Sequence, residues 1–296
     1  MRCSRAAFIG ATFQDCFTRS IIACSIVSLT DSAVLTPSTI SMSFIHAIIL
    51  GIVEGITEFL PVSSTAHLIL ASHLLRLEES EFVKSFEIII QLGAILSVVV
   101  LYWKRFWNIE VLKKLIVAVI PTGVIGLTVY KAIKGYLLGN IPVVLAALVI
   151  GGIALIIFEK YRTQAPEADV DFSEITYKRA LLIGLFQAIA VIPGVSRSAA
   201  TIVGGSLIGI SKRTIVDFSF MLAVPTMIAA SGLELLKGRS ALVGHYDTLA
   251  IGFVVSFIVA IIAVKTFLGY IKKHSFAAFG WYRIVLAAAY ALVFFR

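Results

Sequence analysis

The chain has 296 residues, of which 59% are hydrophobic and 14% charged, and its mean hydropathy is +0.99. A soluble domain carries roughly a quarter charged residues, so this composition excludes a soluble globular protein and predicts a polytopic helical membrane protein. The net charge of +8 does not indicate nucleic-acid binding, because basic residues pair at the ends of apolar segments, as membrane-surface anchors do. These pairs are Lys104 with Arg105, Lys113 with Lys114, Lys178 with Arg179, Lys212 with Arg213 and Lys272 with Lys273.

The first 41 residues differ from the rest of the chain. All three cysteines (Cys3, Cys16 and Cys24) lie in this segment, which contains no lysine and only a weak apolar run. We therefore predict that residues 1–41 are an N-terminal extension, either disordered or the product of an upstream start site. One membrane domain is expected over residues 42–296. Cysteines placed in this way predict neither a disulfide framework nor a thiol-ligated metal site.

Ten apolar segments then follow, near 44–60, 64–76, 83–103, 111–130, 141–158, 179–193, 198–211, 215–236, 248–268 and 281–295. A helix needs about 20 residues to cross a bilayer. The first two segments are shorter than that, and so are the two after residue 178. Each short pair is divided by a proline turn, "LPVSS" in the first and "IPGVSRS" in the second. Short segments interrupted in this way predict re-entrant helical hairpins.

The two proline turns belong to an internal repeat. The stretch "AIILGIVEGITEFLPVSSTAH" resembles "ALLIGLFQAIAVIPGVSRSAAT", with Gly51 matching Gly184 and Ser63 matching Ser196, each pair 133 positions apart. The same offset carries the following apolar segments of the first copy onto those of the second. The fold predicted is therefore an all-α polytopic membrane protein made of two copies of one unit, a re-entrant hairpin plus about three transmembrane helices.

The copies span about 44–158 and 179–295, and the polar stretch 159–179 between them is interpreted as a solvated connector. A re-entrant hairpin returns to its own side of the membrane, whereas three spans cross it. The second copy is therefore expected to start on the opposite face, which gives an inverted-topology repeat. In such a repeat the two proline turns converge near the middle of the bilayer.

The converging turns predict a binding site for an anion. Ser63 and Ser196 are candidate N-caps of the second half-helix in each hairpin. A helix start offers free N–H groups and the positive end of its dipole. The second turn adds Arg197, whose planar fork suits phosphate oxygens, and Gly194, which would let the backbone approach the anion closely.

The first hairpin supplies the reactive groups. Glu54 and Glu58 are four residues apart and share a helix face. Two such carboxylates repel each other unless a proton or a hard cation such as Mg²⁺ or Ca²⁺ relieves them. His67 lies on the first turn of the next half-helix, with Ser64 and Thr65 between. Together with an anion site, these groups predict phosphoryl transfer.

These motifs resemble the undecaprenyl-diphosphate phosphatase family, also called bacitracin-resistance proteins. The stretch "EGITEFLPVSSTAH" matches the family's Glu-x-x-x-Glu and Pro-x-Ser-Ser-Thr-x-His signatures, and "IPGVSRSAAT" matches its Pro-Gly-x-Ser-Arg-Ser-x-x-Thr signature. The resemblance extends from about Met42 to the C-terminus. One departure is Ala66, where the family usually has glycine. That change would matter only if the backbone there needed a positive φ.

The resemblance implies a multi-pass enzyme of the bacterial plasma membrane, with an active site that opens to the outer face. It would hydrolyse undecaprenyl diphosphate to undecaprenyl phosphate and inorganic phosphate, assisted by Mg²⁺ or Ca²⁺. The product lipid carries precursors of peptidoglycan and other envelope polymers, on which cell shape depends. Bacitracin sequesters the substrate, so the enzyme would confer resistance. Membrane lipids, but not nucleic acid, are expected partners, and a homodimer is consistent with the resemblance.

By the same resemblance, residues of both motifs take roles. The expected catalytic residues are Glu54, Glu58, Ser64, His67 and Arg197, and the first two are the expected metal ligands. The expected substrate-binding residues are Ser63, Thr65, Gly194, Ser196, Ser198 and Thr201. Whether Ser64, His67 or a water molecule is the nucleophile stays open. Gln187, which replaces the carboxylate of Glu54 in the second copy, is expected to pack or make a secondary contact.

One alternative function belongs to a different class. Secondary transporters are also built as inverted repeats with broken helices near the middle of the membrane. The same site could then carry phosphate, or flip an anionic lipid, without cleaving it. The hydroxyl, imidazole and two carboxylates around one anion site favour the enzyme, because binding alone does not require them.

Overall fold

The computed structural model describes residues 42–78, 80–136, 140–161, 171–238, 242 and 244–294. The predicted N-terminal extension, residues 1–41, lies outside the described residues, as do residues 162–170 of the predicted connector. All of the regular elements in the described ranges are helices. This agrees with the all-α class expected from the sequence.

The first half begins with two short helices joined by the first proline turn. They are α1 (Phe44–Thr57) and α2 (Ser64–Leu74), followed by α3 (Glu81–Leu101), the single turn α4 (Trp103–Phe106), α5 (Ile109–Tyr136) and α6 (Ile141–Tyr161). The two short helices form the predicted hairpin, and three long helices follow it. The single turn α4 was not predicted.

The second half repeats this order. A 3₁₀ turn (Phe172–Glu174) precedes α7 (Tyr177–Ala188), which continues into a second 3₁₀ turn (Ile189–Val191) before α8 (Arg197–Leu207). Three longer helices follow, α9 (Lys212–Gly238), α10 (Tyr246–Lys273) and α11 (Ala277–Phe294). The hairpin of each half is therefore followed by three helices, as the internal repeat predicts.

Five of the described helices are long and apolar enough to cross a membrane. They are α3, α5, α6, α9 and α10, with mean hydropathies between 1.6 and 2.9. Many of their large apolar side chains face outward, among them Leu127, Ile150 and Ile262. The apolar part of α11, Ala277–Val293, is shorter, as is α1, and both fall among the apolar helices of 10–17 residues. The prediction of a polytopic helical membrane protein is confirmed.

The two halves pack on each other in a reciprocal way. Helix α1 packs against α10 of the other half, and its counterpart α7 packs against α5. The matched glycines lie at these contacts: a Cβ on Gly51 would come within 2.9 Å of the Gly252 carbonyl oxygen, and one on Gly184 within 2.1 Å of the Ala118 carbonyl oxygen. Equivalent residues therefore make equivalent contacts, which supports the repeat. The opposite orientation of the copies in a membrane stays a prediction.

Candidate active site

The first hairpin turns between α1 and α2. Its N-cap, Ser63, has a φ of 73°, a left-handed conformation that is rare for serine, and its side chain accepts a hydrogen bond from the Ala66 N–H. Ala66 itself is helical, so alanine fits at that position without strain. Glu58 follows the last residue of α1 and Ser64 begins α2. Both side chains are buried at the turn, as is that of Glu54 one helical turn earlier.

The second hairpin has the same geometry. Ser196 has a φ of 72° and its side chain accepts a hydrogen bond from the Ala199 N–H. Gly194 has a φ of 95°, and a Cβ there would come within 2.8 Å of the Val144 carbonyl oxygen on α6. A glycine is therefore required by backbone conformation and by packing. The predicted contact of Gly194 with an anion stays a prediction.

The two hairpin tips meet, as the sequence predicts. Arg197 Nη2 donates to Glu58 Oε1 at 3.0 Å, and Ser198 Oγ donates to the Leu60 carbonyl oxygen at 2.7 Å. The guanidinium carbon of Arg197 also lies 6.0 Å from the centroid of the buried Phe59 ring. An ion pair, a hydrogen bond and a cation–π contact therefore join residues that are almost half the chain apart.

Glu58 connects the hydroxyl of the first tip to the cation of the second. Its Oε2 accepts from Ser64 Oγ at 2.5 Å, while Oε1 is bound by Arg197. The side chains of Glu58 and Arg197 are 4% and 12% exposed, so water screens their attraction weakly. A serine hydroxyl that donates to a buried carboxylate has an acceptor for its proton in place. A hydroxyl in this arrangement can act as a nucleophile, so the geometry is consistent with the predicted catalytic role of Ser64.

Arg197 is hydrogen-bonded by the second half of the chain, and one of its donors, Nε, has no partner among the described residues. Its Nη1 donates to the Ser219 carbonyl oxygen at 2.7 Å, and Ser219 Oγ lies 2.6 Å from Thr201 Oγ1. The Nε of Arg197 is buried without a hydrogen-bond partner among the residues that the structure describes. A buried unpaired donor is costly unless a ligand satisfies it. It is therefore available to an anion.

Glu54, like Arg197, has buried polar atoms without a hydrogen-bond donor or acceptor to pair with among the described residues, but its charge is negative. Its side chain is 0% exposed, and no hydroxyl, N–H or cationic group within the described ranges donates to either carboxylate oxygen. Carboxylate oxygens are the ligands that Mg²⁺ and Ca²⁺ prefer. Within the described part of the chain, no cluster of three or more His, Cys, Asp or Glu side chains could hold a metal ion. Mg²⁺ needs only one or two protein carboxylates when substrate phosphates supply further ligands, so Glu54 fits such an ion. Glu58 could share in binding it only through lone pairs that Arg197 and Ser64 leave free.

His67 is engaged on both sides of its ring. Nδ1 lies 2.8 Å from the Ser63 carbonyl oxygen and Nε2 lies 2.8 Å from the Tyr282 hydroxyl. A carbonyl oxygen can only accept, so Nδ1 carries the proton of the neutral ring and Nε2 accepts from Tyr282. Ser64 and His67 are three residues apart on α2 and share a face. The hydroxyl of Ser64, however, is bonded to Glu58 and not to His67.

The remaining predicted residues divide by their surroundings. Ser196 Oγ lies 3.1 Å from Ser198 Oγ, and Thr201 Oγ1 also faces the carbonyl oxygens of Arg197 and Ser198. These hydroxyls are occupied within the second tip. Thr65 differs because it is exposed, and its hydroxyl makes no side-chain hydrogen bond to any residue that the structure describes. Substrate contacts of all these residues stay predictions.

Sequence reasoning missed three residues that support the site. Ser219 holds Arg197, and Tyr282 contacts His67. Arg283 is fully buried and fixes the second tip: it donates to the carbonyl oxygens of Ala147, Leu148, Gly194 and Val195. Tyr282 and Arg283 lie at the start of the last apolar segment, where such residues usually mark the membrane surface. The one signal that could have marked this pair is the position of Arg283, a charged residue two positions inside that apolar segment.

The fold and the site together define a polytopic helical membrane protein with a buried serine–carboxylate–arginine centre. The family model described as "Bacitracin resistance protein BacA" matches residues 47–289. The chain belongs to this family.

Curated relatives match over nearly their full length. The chain is 51% identical to the undecaprenyl-diphosphatase of Aquifex aeolicus over 84% of this chain and 98% of that protein. It is 50% identical to the undecaprenyl-diphosphatase of Bdellovibrio bacteriovorus over 83% and 94% of the two chains. It is 45% identical to undecaprenyl-diphosphatase 1 of Clostridioides difficile over 86% and 97%. The family predicted from the two motifs is thereby confirmed.

Proposed function

We propose that this protein is an undecaprenyl-diphosphatase, which hydrolyses undecaprenyl diphosphate to undecaprenyl phosphate and inorganic phosphate. The observation that carries the proposal is the contact of Ser64 and Arg197 with the same buried carboxylate, that of Glu58. Relatives of 43–51% identity bear the name of this enzyme. These names support the phosphatase over the transporter or flippase that the sequence left as an alternative.

In the first chemical step the hydroxyl of Ser64 attacks the terminal phosphorus. The new bond is Oγ–P, and the bond that breaks joins this phosphorus to the bridging oxygen of the diphosphate. Undecaprenyl phosphate leaves as an anion, and the proton of Ser64 passes to Glu58 Oε2. Arg197 stabilises the charge that develops on the phosphoryl oxygens, using Nε and the edge of its fork.

In the second step water hydrolyses the phosphoserine. The attacking and leaving oxygens of phosphoryl transfer lie roughly in line on opposite sides of phosphorus, so one carboxylate beside Ser64 cannot serve both. Glu58 returns its proton to Ser64 Oγ as the Oγ–P bond breaks. The attacking water gives its proton to the imidazole of His67, whose neutral ring has an acceptor at Nε2. Inorganic phosphate is released, Ser64 and Glu58 regain their starting states, and His67 becomes neutral again when its proton passes to solvent.

Mg²⁺ or Ca²⁺ is the proposed cofactor, held by Glu54 and Glu58. When bound, such an ion neutralises charge on the diphosphate and on the two carboxylates. The support is the pair of buried, unpartnered oxygens on Glu54. An oxygen-only donor set of this kind favours hard cations over zinc or copper.

The cellular setting follows from the substrate. A diphosphate on a long isoprenoid stays in the membrane, so its headgroup must reach a site within a membrane protein. We propose that this protein works in the plasma membrane, opens to the outer face and recycles the carrier lipid for peptidoglycan and other envelope polymers. Bacitracin resistance would follow from its activity. Surrounding lipids and a second copy of the chain are the proposed partners.

The test is phosphate release by the purified protein in detergent, with a prenyl diphosphate and Mg²⁺ or Ca²⁺. Wild-type protein is expected to release phosphate, and Ser64→Ala to be slower by at least about a thousandfold, because the nucleophile is lost. The conservative variant Ser64→Thr retains a hydroxyl and is the matched control. If neither metal supports release, and liposomes show counterflow of phosphate or lipid, the transporter is correct.

A further inference from the structure

A tyrosine outside both sequence motifs reaches the candidate active site. Tyr282, on α11, places its hydroxyl 2.8 Å from His67 Nε2. The two rings are also stacked, with centroids 5.6 Å apart and planes 3° from parallel. One side chain thus supplies both a ring face and a hydrogen bond to the same histidine, which fixes its orientation.

The other side of the His67 ring is tied to the hairpin turn. Nδ1 donates to the Ser63 carbonyl oxygen, and Ser63 is the left-handed N-cap that directly precedes Ser64. The ring therefore stands between α11 and the residue that presents the nucleophile. Its tautomer is fixed with the proton on Nδ1 and the acceptor on Nε2, the nitrogen that Tyr282 covers.

His67 and Tyr282 differ in how much of their surface is exposed. His67 is buried, whereas Tyr282 is 47% exposed. A phenol has one proton to donate and lone pairs with which to accept. Tyr282 can therefore donate to Nε2 and accept a second hydrogen bond through the lone pairs of its oxygen at the same time.

We propose that Tyr282 relays the proton of the hydrolytic water to His67. This inference rests on the proposed function and assigns a further residue to its second step. The water transfers a proton to Tyr282 Oη while the proton of that hydroxyl passes to Nε2. The resulting hydroxide bonds to phosphorus, the Oγ–P bond of phosphoserine breaks, and Ser64 Oγ takes the proton held by Glu58. Tyr282 ends as a neutral phenol and His67 as the imidazolium, which later returns its proton to solvent.

The decisive variant is Tyr282→Phe, which keeps the stacked ring and removes the hydroxyl. Its kcat for phosphate release is expected to fall at least about tenfold and its KM by a similar factor, with kcat/KM nearly unchanged, because only the hydrolysis of phosphoserine is impaired. Since attack by Ser64 is untouched, labelled phosphate should accumulate on the protein after a single turnover. The double variant Tyr282→Phe with His67→Gln should be about as slow as the slower single variant, since residues that act as a unit are not additive.

Tyr290→Phe is the matched control. Tyr290 is on the same helix, and its hydroxyl contacts His73 of α2, so it joins the same two helices away from the tip. This variant should retain the wild-type kcat and accumulate no phosphoprotein. Wild-type kcat in Tyr282→Phe would overturn the relay, as would a slower kcat without phosphoprotein. Absence of phosphate release from the wild type would overturn the proposed function, and the relay with it.

Discussion

The two hairpin tips share the same backbone conformation but carry different functional side chains. Their N-caps, Ser63 and Ser196, adopt the same left-handed conformation, with φ values of 73° and 72°. The next residue in each copy is the first of its helix, Ser64 in one and Arg197 in the other. The first tip therefore supplies the hydroxyl and its base, and the second supplies the cation. Two equivalent helix starts thus carry different side chains at the first helical position.

Glu54 and Gln187 are a second pair of equivalent residues, and they differ in their hydrogen bonds. Gln187 occupies the place of Glu54 in the second copy, and its Nε2 donates to Thr122 and Thr226 at 2.8 and 3.2 Å. Both residues are buried, but the oxygens of Glu54 have no partner among the residues described. The sequence expected a packing or secondary role for Gln187, and these contacts agree. This difference in hydrogen bonding supports a role for Glu54 other than packing.

The largest expected effect breaks the division of tasks at the second tip. Arg197→Ala should lower kcat/KM by about 10²–10³-fold, because it removes donors aimed at the transferred phosphoryl group. Phosphate release measures the effect. Arg197→Lys keeps the charge without the planar fork, so its kcat/KM should lie between those of the wild type and Arg197→Ala. Near-normal hydrolysis by Arg197→Ala in a folded protein would contradict the role assigned here.

The next variant makes the two copies alike. Glu54→Gln should lower activity by about ten- to a hundredfold and flatten its dependence on divalent-cation concentration, because a proposed ligand is lost. Thermal stability should not fall, since a neutral amide replaces an unpartnered buried carboxylate. Cation titrations of phosphate release, together with melting curves, check both. An unchanged cation dependence would rule out Glu54 as a ligand.

Sequence patterns predicted the frame of this site, and tertiary contacts supplied the rest. Proline turns at matching positions of a repeat were enough to predict two hairpins and the convergence of their tips, but not the ion pair of Arg197 with Glu58. They could not decide whether Ser64 would bond to Glu58 or His67, because that depends on side-chain direction at a turn. Tyr282 escaped notice because its partner, His67, lies 215 residues away in the chain. Ser219 escaped notice because nothing in its local pattern marks it as a partner of Arg197.

The reciprocal substitution should affect stability more than catalysis. Gln187→Glu removes the amide that donates to Thr122 and Thr226 and buries a carboxylate. We expect a loss of about 1–3 kcal/mol in the free energy of unfolding, with kcat within about threefold of wild type. Gln187→Met, which is of similar length and uncharged, separates the lost hydrogen bonds from the added charge. A large loss of activity at full stability would instead place Gln187 in the reaction.

The smallest expected effects compare Thr65 with Ser198, which occupy equivalent positions in the two tips. Ser198 is buried and its hydroxyl donates to the Leu60 carbonyl oxygen. Ser198→Ala should therefore lower the free energy of unfolding by about 1 kcal/mol. Thr65 is exposed, so Thr65→Ser and Thr65→Val should leave the melting temperature nearly unchanged.

If the Thr65 hydroxyl binds the headgroup, as its motif implies, Thr65→Val should raise KM several-fold while Thr65→Ser does not. Melting curves and KM values for the three variants separate a hydroxyl that joins the tips from one that contacts substrate. An unchanged KM in Thr65→Val would remove Thr65 from the substrate site. A lower stability in that variant would show instead that both hydroxyls serve the fold, because the two positions would then no longer differ in task.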